Sequence, residues 1–485
     1  MEEVNVVTIK ERAVRGIVVL TGRTFFLQVL STIALFLLFQ YLAPSEYGVF
    51  IIVSSVVNFL VYFSDIGLAA ALIQKKDMPS ETDLKTTFTV QQILVFTLVL
   101  ILFLCVPLIT NHYLLTNDGR DLIYALGISL ILSSLKSIPS VLLERKLEFI
   151  KLVFPQILEQ VVYNIILVFL AMKGFGLKSF SIAVVVRSIV GLVMIYTLQP
   201  WKMGFAFSFR ALRDLFKFGI PYQINTFIAT LKDDGINIIL GGIIGPSGIG
   251  ILSFAQKVAR LPLTFFMDTV TKVTFPAFSR LQDKTSDLER SVTRSIFFIC
   301  LLVFPSLIGI VVLMPWVVEL IPRYSKWSAS LIPLIFISIN FAFAAGTTQL
   351  TNMLNAIGKI KITFYLMIMW TVLSWALIPL LAIKFSVNGA SFGYSLVGLS
   401  SVIAIYIAKR YVNFSIFESI IKPLIASIIM MAILLFVKNF LPMNYYSLGI
   451  LVLIGVVSYG ASIVGMIGVS LIEDAKKAMH NLWKK

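Results

Sequence analysis

Long apolar runs bounded by polar residues recur along the whole chain. A helix that crosses the hydrocarbon core of a bilayer needs about 20 apolar residues, and the alternating strands of about ten residues that build a membrane β-barrel are missing. The sequence therefore predicts an all-α, polytopic membrane protein with fourteen transmembrane helices. The predicted spans are 17–40, 46–70, 87–109, 122–143, 150–172, 179–198, 215–240, 247–271, 293–313, 328–353, 361–383, 387–408, 420–440 and 446–471.

Composition supports the bilayer as the solvent of this chain. Hydrophobic residues make up 58% of the 485 residues and charged residues 13%, whereas soluble domains are about 45–50% apolar and about 25% charged. Cys105 and Cys300 both lie in apolar runs, which argues against a disulfide framework. The first apolar segment is too long for a signal-peptide core and lacks a small-residue cleavage site, so we expect a retained first helix.

The distribution of Lys and Arg predicts the orientation. With the N-terminus inside, the inside segments and their flanks carry 27 of these residues and the outside loops carry 7. Basic residues concentrate on the cytoplasmic side of membrane proteins, so both termini are predicted to be cytoplasmic, in the inner (cytoplasmic) membrane. The net charge of +16 is then a topology signal that also favours contact with anionic membrane lipid. No basic stripe is interleaved with exposed aromatics, which argues against nucleic-acid binding.

An internal repeat divides the chain. The sequence PSEYG at 44–48 returns as PSGIG at 246–250, an offset of 202 residues. The repeat predicts a six-helix lobe at 1–200, a second six-helix lobe at 201–410, and two extra helices with a basic tail at 411–485. Because each lobe has an even number of spans, the repeats are expected to be parallel, as in transporters that bind substrate between two halves.

Polar side chains inside the spans follow the same offset. Matched faces in two pairs of helices predict a shared water-filled space, although polar contacts between helices without a cavity would also explain them. The predicted polar lining residues are Thr24, Gln28, Asn58, Thr226, Thr230 and Asn237.

Basic residues deep in the spans favour an anionic ligand. Lys257 and Arg260 lie about 10 and 13 residues into their span, too deep for both to reach the interface, since each residue rises only about 1.5 Å. Arg23 and Lys232 are the other predicted members of this anion site. The arginines suit a phosphate because a planar guanidinium group binds two of its oxygens at once. Lys136 and Asp65 are nearer the cytoplasmic ends of their spans, where snorkelling to the interface is the favoured interpretation.

The acidic residues of the spans have two possible roles. They either neutralise the cations or bind a driving H⁺ or Na⁺, and the sequence leaves both roles open. The candidates are Asp65, Glu159, Asp233, Asp234 and Asp268.

Motifs for enzymatic chemistry are missing from the sequence. It contains neither GxxxxGK[ST], HExxH nor GxSxG, and has only two histidines. We therefore expect no metal site, no cofactor and no catalytic residues.

The N-terminal motifs identify a resemblance. LAPSEYG at 42–48, DIGL at 65–68, ALIQKKD at 71–77 and TTF at 86–88 are together similar to the polysaccharide flippases of the multidrug/oligosaccharidyl-lipid/polysaccharide (MOP) superfamily, in particular the branch for O-antigen, colanic acid and teichuronic acid. That resemblance implies transport of undecaprenyl-pyrophosphate-linked oligosaccharide, with a polysaccharide polymerase and chain-length proteins as partners. It also makes Arg23 similar to the essential first-helix Arg of the related lipid II flippases.

The expected function is therefore that of a lipid-linked oligosaccharide flippase working by alternating access. A cation-coupled multidrug exporter of the same fold is the alternative, and it would need an acidic cavity. A third possibility is a structural partner in a polysaccharide assembly complex.

Overall fold

The computed structural model describes the backbone of residues 6–467. Side chains are described for residues 19–467 except 214, 218, 220–229 and 268–269. All regular structure within these limits is helical, without a β-strand. The all-α prediction is confirmed.

Residues Met1–Gly250 form a first compact unit. Helix α4 shows how local sequence sets an element boundary, because the Ser80 hydroxyl accepts the backbone N–H of Asp83 (3.1 Å) and the Asp83 carboxylate accepts that of Ser80 (2.8 Å). The helices are α1 (Val6–Tyr41), α2 (Pro44–Asp65), α3 (Leu68–Gln74), α4 (Glu81–Leu104), α5 (Val106–His112), α6 (Asn117–Leu135), α7 (Ser137–Arg145), α8 (Phe149–Met172), α9 (Lys178–Leu198) and α10 (Phe209–Leu281), which continues into the second unit.

Residues Ile251–Lys485 form a second compact unit. Its core includes Phe278, Val292, Cys300 and Leu350, all fully buried. Beyond the rest of α10, it contains α11 (Thr285–Leu320), a 3₁₀ turn (Ser325–Ser330), α12 (Leu331–Ala356), α13 (Ile360–Leu399), α14 (Ser401–Lys409), a π-helical turn (Phe417–Ile421), α15 (Lys422–Lys438) and α16 (Tyr445–Ile467). The division into segments 1–200, 201–410 and 411–485 stays a prediction.

Many of the helices are long and apolar enough to cross a membrane. Within the described residues there are 11 of them, or 12 if α6 and α7, which meet at a bend of 41°, are one broken span. Large apolar side chains are exposed on these helices, such as Leu104 at 71% and Val457 at 68%. The chain is therefore a multi-pass membrane protein whose outer surface suits lipid.

The predicted second span, 46–70, differs from the structure at its end. Helix α2 stops at Asp65, and α3 starts at Leu68. Ile66 and Gly67 between them have positive φ angles of 47° and 76°, a conformation that ends a helix and favours glycine. An added Cβ on Gly67 would lie 2.4 Å from the carbonyl oxygen of Gly219. The apolar run therefore continues through a turn that hydropathy does not detect.

The two copies of the repeated motif touch each other. An added Cβ on Gly48 would lie 1.7 Å from the carbonyl oxygen of Pro246, and one on Gly250 would lie 1.8 Å from that of Pro44. Only glycine permits backbones to approach this closely. The repeated glycines are therefore explained by a reciprocal backbone contact between α2 and α10.

Arg145 at the end of α7 holds the segment that follows α3. Its Nη1 donates to the carbonyl oxygens of Leu72, Ile73 and Lys75 at 2.6, 2.9 and 2.7 Å, and its Nη2 donates to that of Asp77 at 3.0 Å. These bonds satisfy carbonyl groups that the end of a short helix leaves without partners. The segment ALIQKKD contributes to the family resemblance. Its backbone carbonyl groups bind Arg145, which lies 68–73 residues further along the chain.

Candidate functional site

Lys257 and Arg260 form an exposed cation pair on α10 in the second unit. They are three residues apart, on adjacent turns of one helix face, and both side chains are exposed. None of the ion pairs seen among the described residues includes either of them. Such a pair within an apolar helix has positive charge available for an anion. Asp268, predicted on the same face, has its side chain outside the described residues.

The two other predicted anion-binding residues belong to the first unit. Arg23 on α1 is half-buried, and its Nε atom is buried without a hydrogen-bond partner among the described residues. Lys232 on α10 lies 3.5 Å from the carboxylate of Asp233, which is 73% exposed. A pair so exposed contributes little to stability.

Asp234 lies in a polar cluster where α10 meets α2. Its carboxylate is hydrogen-bonded to the side chains of Ser55 and Asn58, and the Asn237 amide donates to the Ser55 hydroxyl at 3.3 Å. The structure thus brings together three residues predicted separately from the sequence, Asn58, Asp234 and Asn237. A carboxylate, a hydroxyl and amide groups at one point can hold a polar ligand or a proton.

The remaining predicted lining residues have local contacts. The Thr24 hydroxyl donates to the carbonyl oxygen of Leu20 at 2.8 Å, and the Gln28 amide donates to the Thr32 hydroxyl at 3.5 Å. Thr230 is half-buried on α10. The side chain of Thr226 lies outside the described residues.

Asp65 lies at the turn between α2 and α3. Its carboxylate accepts the backbone N–H of Ala69 at 3.2 Å and the side-chain amide of Gln91 at 3.4 Å. Acceptance of a backbone N–H in a first helical turn is typical of a helix cap. The geometry therefore gives Asp65 a structural contact in addition to its predicted role.

Glu159 on α8 is a buried carboxylate at the centre of a cluster of charged residues. Its carboxylate accepts a hydrogen bond from Lys136 Nζ at 2.8 Å and lies 3.7 Å from Nε of Arg187 on α9. The guanidinium of Arg187 also stacks over the ring of Tyr163, 5.5 Å from its centroid. Glu159 itself is 8% exposed. Of the two roles open to this carboxylate, the geometry supports that of counter-ion.

The snorkelling prediction for Lys136 is wrong. The side chain of Lys136 is only 16% exposed and pairs with Glu159, because Lys136 occupies the break between α6 and α7, which turns its side chain toward α8. Gly191 on α9 leaves the space for the carboxylate, since an added Cβ there would lie 1.7 Å from Glu159 Oε1. The sequence signal for this cluster was Glu159 itself, an acidic residue inside a span.

Groups of three or more His, Cys, Asp or Glu residues placed to hold a metal ion do not occur in the described part of the chain. The arrangement offers basic, acidic and neutral polar side chains within apolar helices. Such groups can form hydrogen bonds and ion pairs with a polar ligand.

Comparison with solved structures identifies the fold. The inward-closed lipid II flippase MurJ matches with a TM-score of 0.75 at 18% identity, covering 93% of this chain and 99% of that one. An inward-facing multidrug resistance MATE family transporter of the MOP superfamily matches with a TM-score of 0.57 at 15% identity, covering 79% and 95%. The chain therefore has the fold shared by these transporters.

Related sequences point to polysaccharide biosynthesis. The teichuronic acid biosynthesis protein TuaB of Bacillus subtilis is 26% identical over 251 residues, so the match spans about half the length of that relative (51%) and 51% of this chain. The lipopolysaccharide biosynthesis protein WzxC of Escherichia coli is 24% identical over 355 residues, 71% of this chain and 70% of that protein. The succinoglycan biosynthesis transport protein ExoT of Rhizobium meliloti is 22% identical over 387 residues, 78% and 74%.

A family model covers the majority of the chain. The model described as polysaccharide biosynthesis protein matches residues 37–332, which include the repeated motif, the Glu159 cluster and the exposed cation pair. The resemblance noted in the sequence is confirmed. The chain belongs to the polysaccharide biosynthesis protein family.

Proposed function

We propose that this protein is a flippase that moves undecaprenyl-pyrophosphate-linked oligosaccharide across the cytoplasmic membrane for surface polysaccharide synthesis. The observation that carries the proposal is the exposed pair Lys257 and Arg260 on an apolar helix. A charge at mid-bilayer costs at least about 2.5 kcal/mol, so two exposed cations on neighbouring turns need an anionic ligand or water. A pyrophosphate supplies several oxygens for such groups.

The proposed mechanism is alternating access without covalent chemistry. Lys257, Arg260, Arg23 and Lys232 bind the pyrophosphate and any acidic sugar, the polar lining residues contact sugar hydroxyls, and the prenyl chain stays in lipid. An ion gradient or the membrane potential drives the cycle, and Asp234 in its polar cluster is the candidate proton or cation acceptor. A polysaccharide polymerase and chain-length proteins are the proposed partners, and the chain is a transporter rather than an enzyme.

The proposed topology is fourteen spans arranged as two parallel six-helix repeats and two further helices, with both termini in the cytoplasm. Two long helices support this count because each contains a break in its backbone. In α10 the break is at Gly245 (φ 68°, ψ 175°), and in α13 it is at Phe385 and Ser386 (φ 55° at the serine). The bent pair α6 and α7 counts as one span.

The first test is lipid analysis of a deletion strain. We expect the deletion strain to accumulate lipid-linked repeat units and to lose its surface polymer. The parent gene should remove the accumulation and restore the polymer. Complementation with Arg260→Ala at equal membrane abundance should leave the accumulation in place. Lys272→Ala is a matched control, since Lys272 is another exposed basic residue of α10, and it should restore export.

The alternative function is cation-coupled drug export. The fold is compatible with it, because a multidrug resistance MATE family transporter has a similar fold. It is less supported, because the exposed pair Lys257 and Arg260 is basic and would repel cationic drugs. Normal lipids and normal polymer in the deletion strain, together with new sensitivity to cationic drugs, would contradict the flippase and support the exporter. Full export by a stable Arg260→Ala protein would contradict the site.

A further inference from the structure

Arg187 lies halfway along α9, a helix of 21 residues in the first unit. At a rise of about 1.5 Å per residue, it is roughly 14–17 Å from either end of the helix. Its side chain is nevertheless 41% exposed. A charge at mid-span is stable only beside a counter-charge, a polar ligand or water. The exposure of Arg187 therefore needs a physical reason.

The exposed side of Arg187 points away from the lipid-facing side of α9. The large apolar side chains exposed on this helix are Ile182, Ile189 and Val193. At about 100° per residue, each of them lies roughly 120–160° around the helix axis from Arg187. Arg187 is on the other side, together with Tyr163 of α8. Its charge thus faces a polar space, where a ligand can reach it.

The cluster around Glu159 has one surplus positive charge. Lys136 Nζ donates to the Glu159 carboxylate at 2.8 Å, whereas Arg187 Nε lies at the longer distance of 3.7 Å. The ion pairs of the described residues join Lys136 and Arg187 to no acidic group other than Glu159. Two cations and one carboxylate leave one net positive charge. Because the shorter bond belongs to Lys136, the surplus charge lies on Arg187.

Two neighbours orient the guanidinium of Arg187 and leave one of its edges open. The centre of the Tyr163 ring lies 5.5 Å from Cζ, and the Glu159 carboxylate lies beside Nε. Nη1 and Nη2 form the other edge, which makes none of the hydrogen bonds found in the described part of the chain. Two parallel N–H groups of this kind bind both oxygens of an oxyanion. The open edge is therefore a preformed oxyanion site.

We propose that Arg187 binds an acidic group of the transported sugar chain, such as the carboxylate of a uronic acid. This inference rests on the proposed function and adds a substrate class to it, an acidic repeat unit. One surplus charge matches one carboxylate, whereas a pyrophosphate esterified at both ends carries a negative charge on each phosphorus. Glu159 and Tyr163 are positioning residues, because they act on the ligand through the guanidinium.

Native mass spectrometry of the detergent-purified full chain tests the proposal with two probes that differ in one group. They are undecaprenyl pyrophosphate carrying glucuronic acid and undecaprenyl pyrophosphate carrying glucose, so a carboxylate is compared with a hydroxymethyl group. We expect the parent to bind the acidic probe roughly 10-fold more tightly, because a charge-assisted hydrogen bond discriminates by this order. Arg187→Gln should abolish the preference, and it leaves Lys136 and Glu159 as a neutral pair. Arg187→Lys should retain part of the preference, because it keeps the charge without the planar fork.

The matched control is Lys178→Gln, which removes an exposed cation from the start of the same helix. It should leave the preference for the acidic probe unchanged. Tyr163→Leu removes the ring beside the guanidinium at constant charge and should lower the preference about 3-fold, whereas Tyr163→Phe should keep it. Melting temperatures without added probe confirm that each variant is folded, and Tyr163→Leu tests the role even where Arg187→Gln does not fold.

The outcomes separate this proposal from that of the flippase. Equal affinity of the parent for the two probes, or a preference that survives Arg187→Gln, would overturn the role of Arg187 and leave the flippase proposal standing. Binding of neither probe by the parent would overturn both proposals. The repeat unit that accumulates in the deletion strain should contain an acidic sugar, and a wholly neutral unit would overturn the substrate class.

Discussion

Two pairs of basic residues in membrane helices meet very different surroundings. Lys136 and Arg187 in the first unit share the carboxylate of Glu159, at 2.8 and 3.7 Å, and Lys136 is nearly buried. Lys257 and Arg260 in the second unit are exposed on one face of α10. The first pair shares one buried carboxylate, which compensates one of its two positive charges, whereas the second pair has no carboxylate partner among the ion pairs of the described residues. A basic residue inside a span is therefore a functional candidate only after its neighbours are known.

The largest expected effect is on the compensated pair. Glu159→Ala leaves the nearly buried Lys136 without its carboxylate, and loss of one partner of a fully buried ion pair costs about 3–5 kcal/mol of unfolding free energy. Thermal unfolding in detergent should show a strongly lowered melting temperature. Glu159→Ala/Lys136→Met should recover a large part of the loss, because the buried ammonium is then gone as well. A Glu159→Ala protein as stable as the parent would break the distinction between the two pairs.

A smaller effect is expected when the same pair is displaced without removing a charge. In Gly191→Val the new side chain occupies the space of the Glu159 carboxylate and pushes it away from Lys136. Forcing extra atoms into a packed site costs about 1–3 kcal/mol. Gly460→Ala is the control, because an added Cβ there meets nothing within 4 Å. Equal melting temperatures for the two variants would show that the carboxylate has room to move.

The smallest effect on stability is expected for the exposed pair. Lys257→Gln and Arg260→Gln should each change the unfolding free energy by less than about 0.5 kcal/mol, as for other exposed positions. Their binding of undecaprenyl pyrophosphate should nevertheless weaken roughly 10-fold, since a charge-assisted hydrogen bond contributes about 1.5–3 kcal/mol. Glu81→Gln, which breaks the exposed pair of Glu81 with Lys85, gives the baseline and should leave both stability and binding unchanged. Strong destabilisation by Lys257→Gln would place that residue with the compensated pair.

Hydropathy was sufficient for the helical class but not for the contacts that decide function. Apolar runs predict helices because each must satisfy its own backbone in lipid, and that prediction is confirmed. The partner of Lys136 lies 23 residues away on another helix, so its identity depends on helix rotation and on the bend after α6. Neither quantity is encoded in the hydropathy of one span.

The polar cluster at Asp234 was partly predictable. Asn58 and Asn237 follow from the helical spacing of polar residues, and their meeting with Asp234 depends on how α2 crosses α10. The role of Arg145 was missed, since the sequence of α7 does not reveal that four carbonyl groups near α3 need a donor. An arginine at a helix end, together with a short helix whose last carbonyl groups need donors, is the signal that could have suggested it.

Gly48 contacts the backbone of Pro246, and Gly250 contacts the backbone of Pro44. This reciprocal contact has the form of an isologous interface, in which each partner presents the same surface to the other. Two identical proteins related by a two-fold axis make contacts of this kind. A gene duplicated and fused from such a dimer would keep the same glycine twice, once in each copy. Neither glycine can then be replaced independently, because a bulkier residue at Gly48 or Gly250 would collide with the backbone of the other copy of the motif.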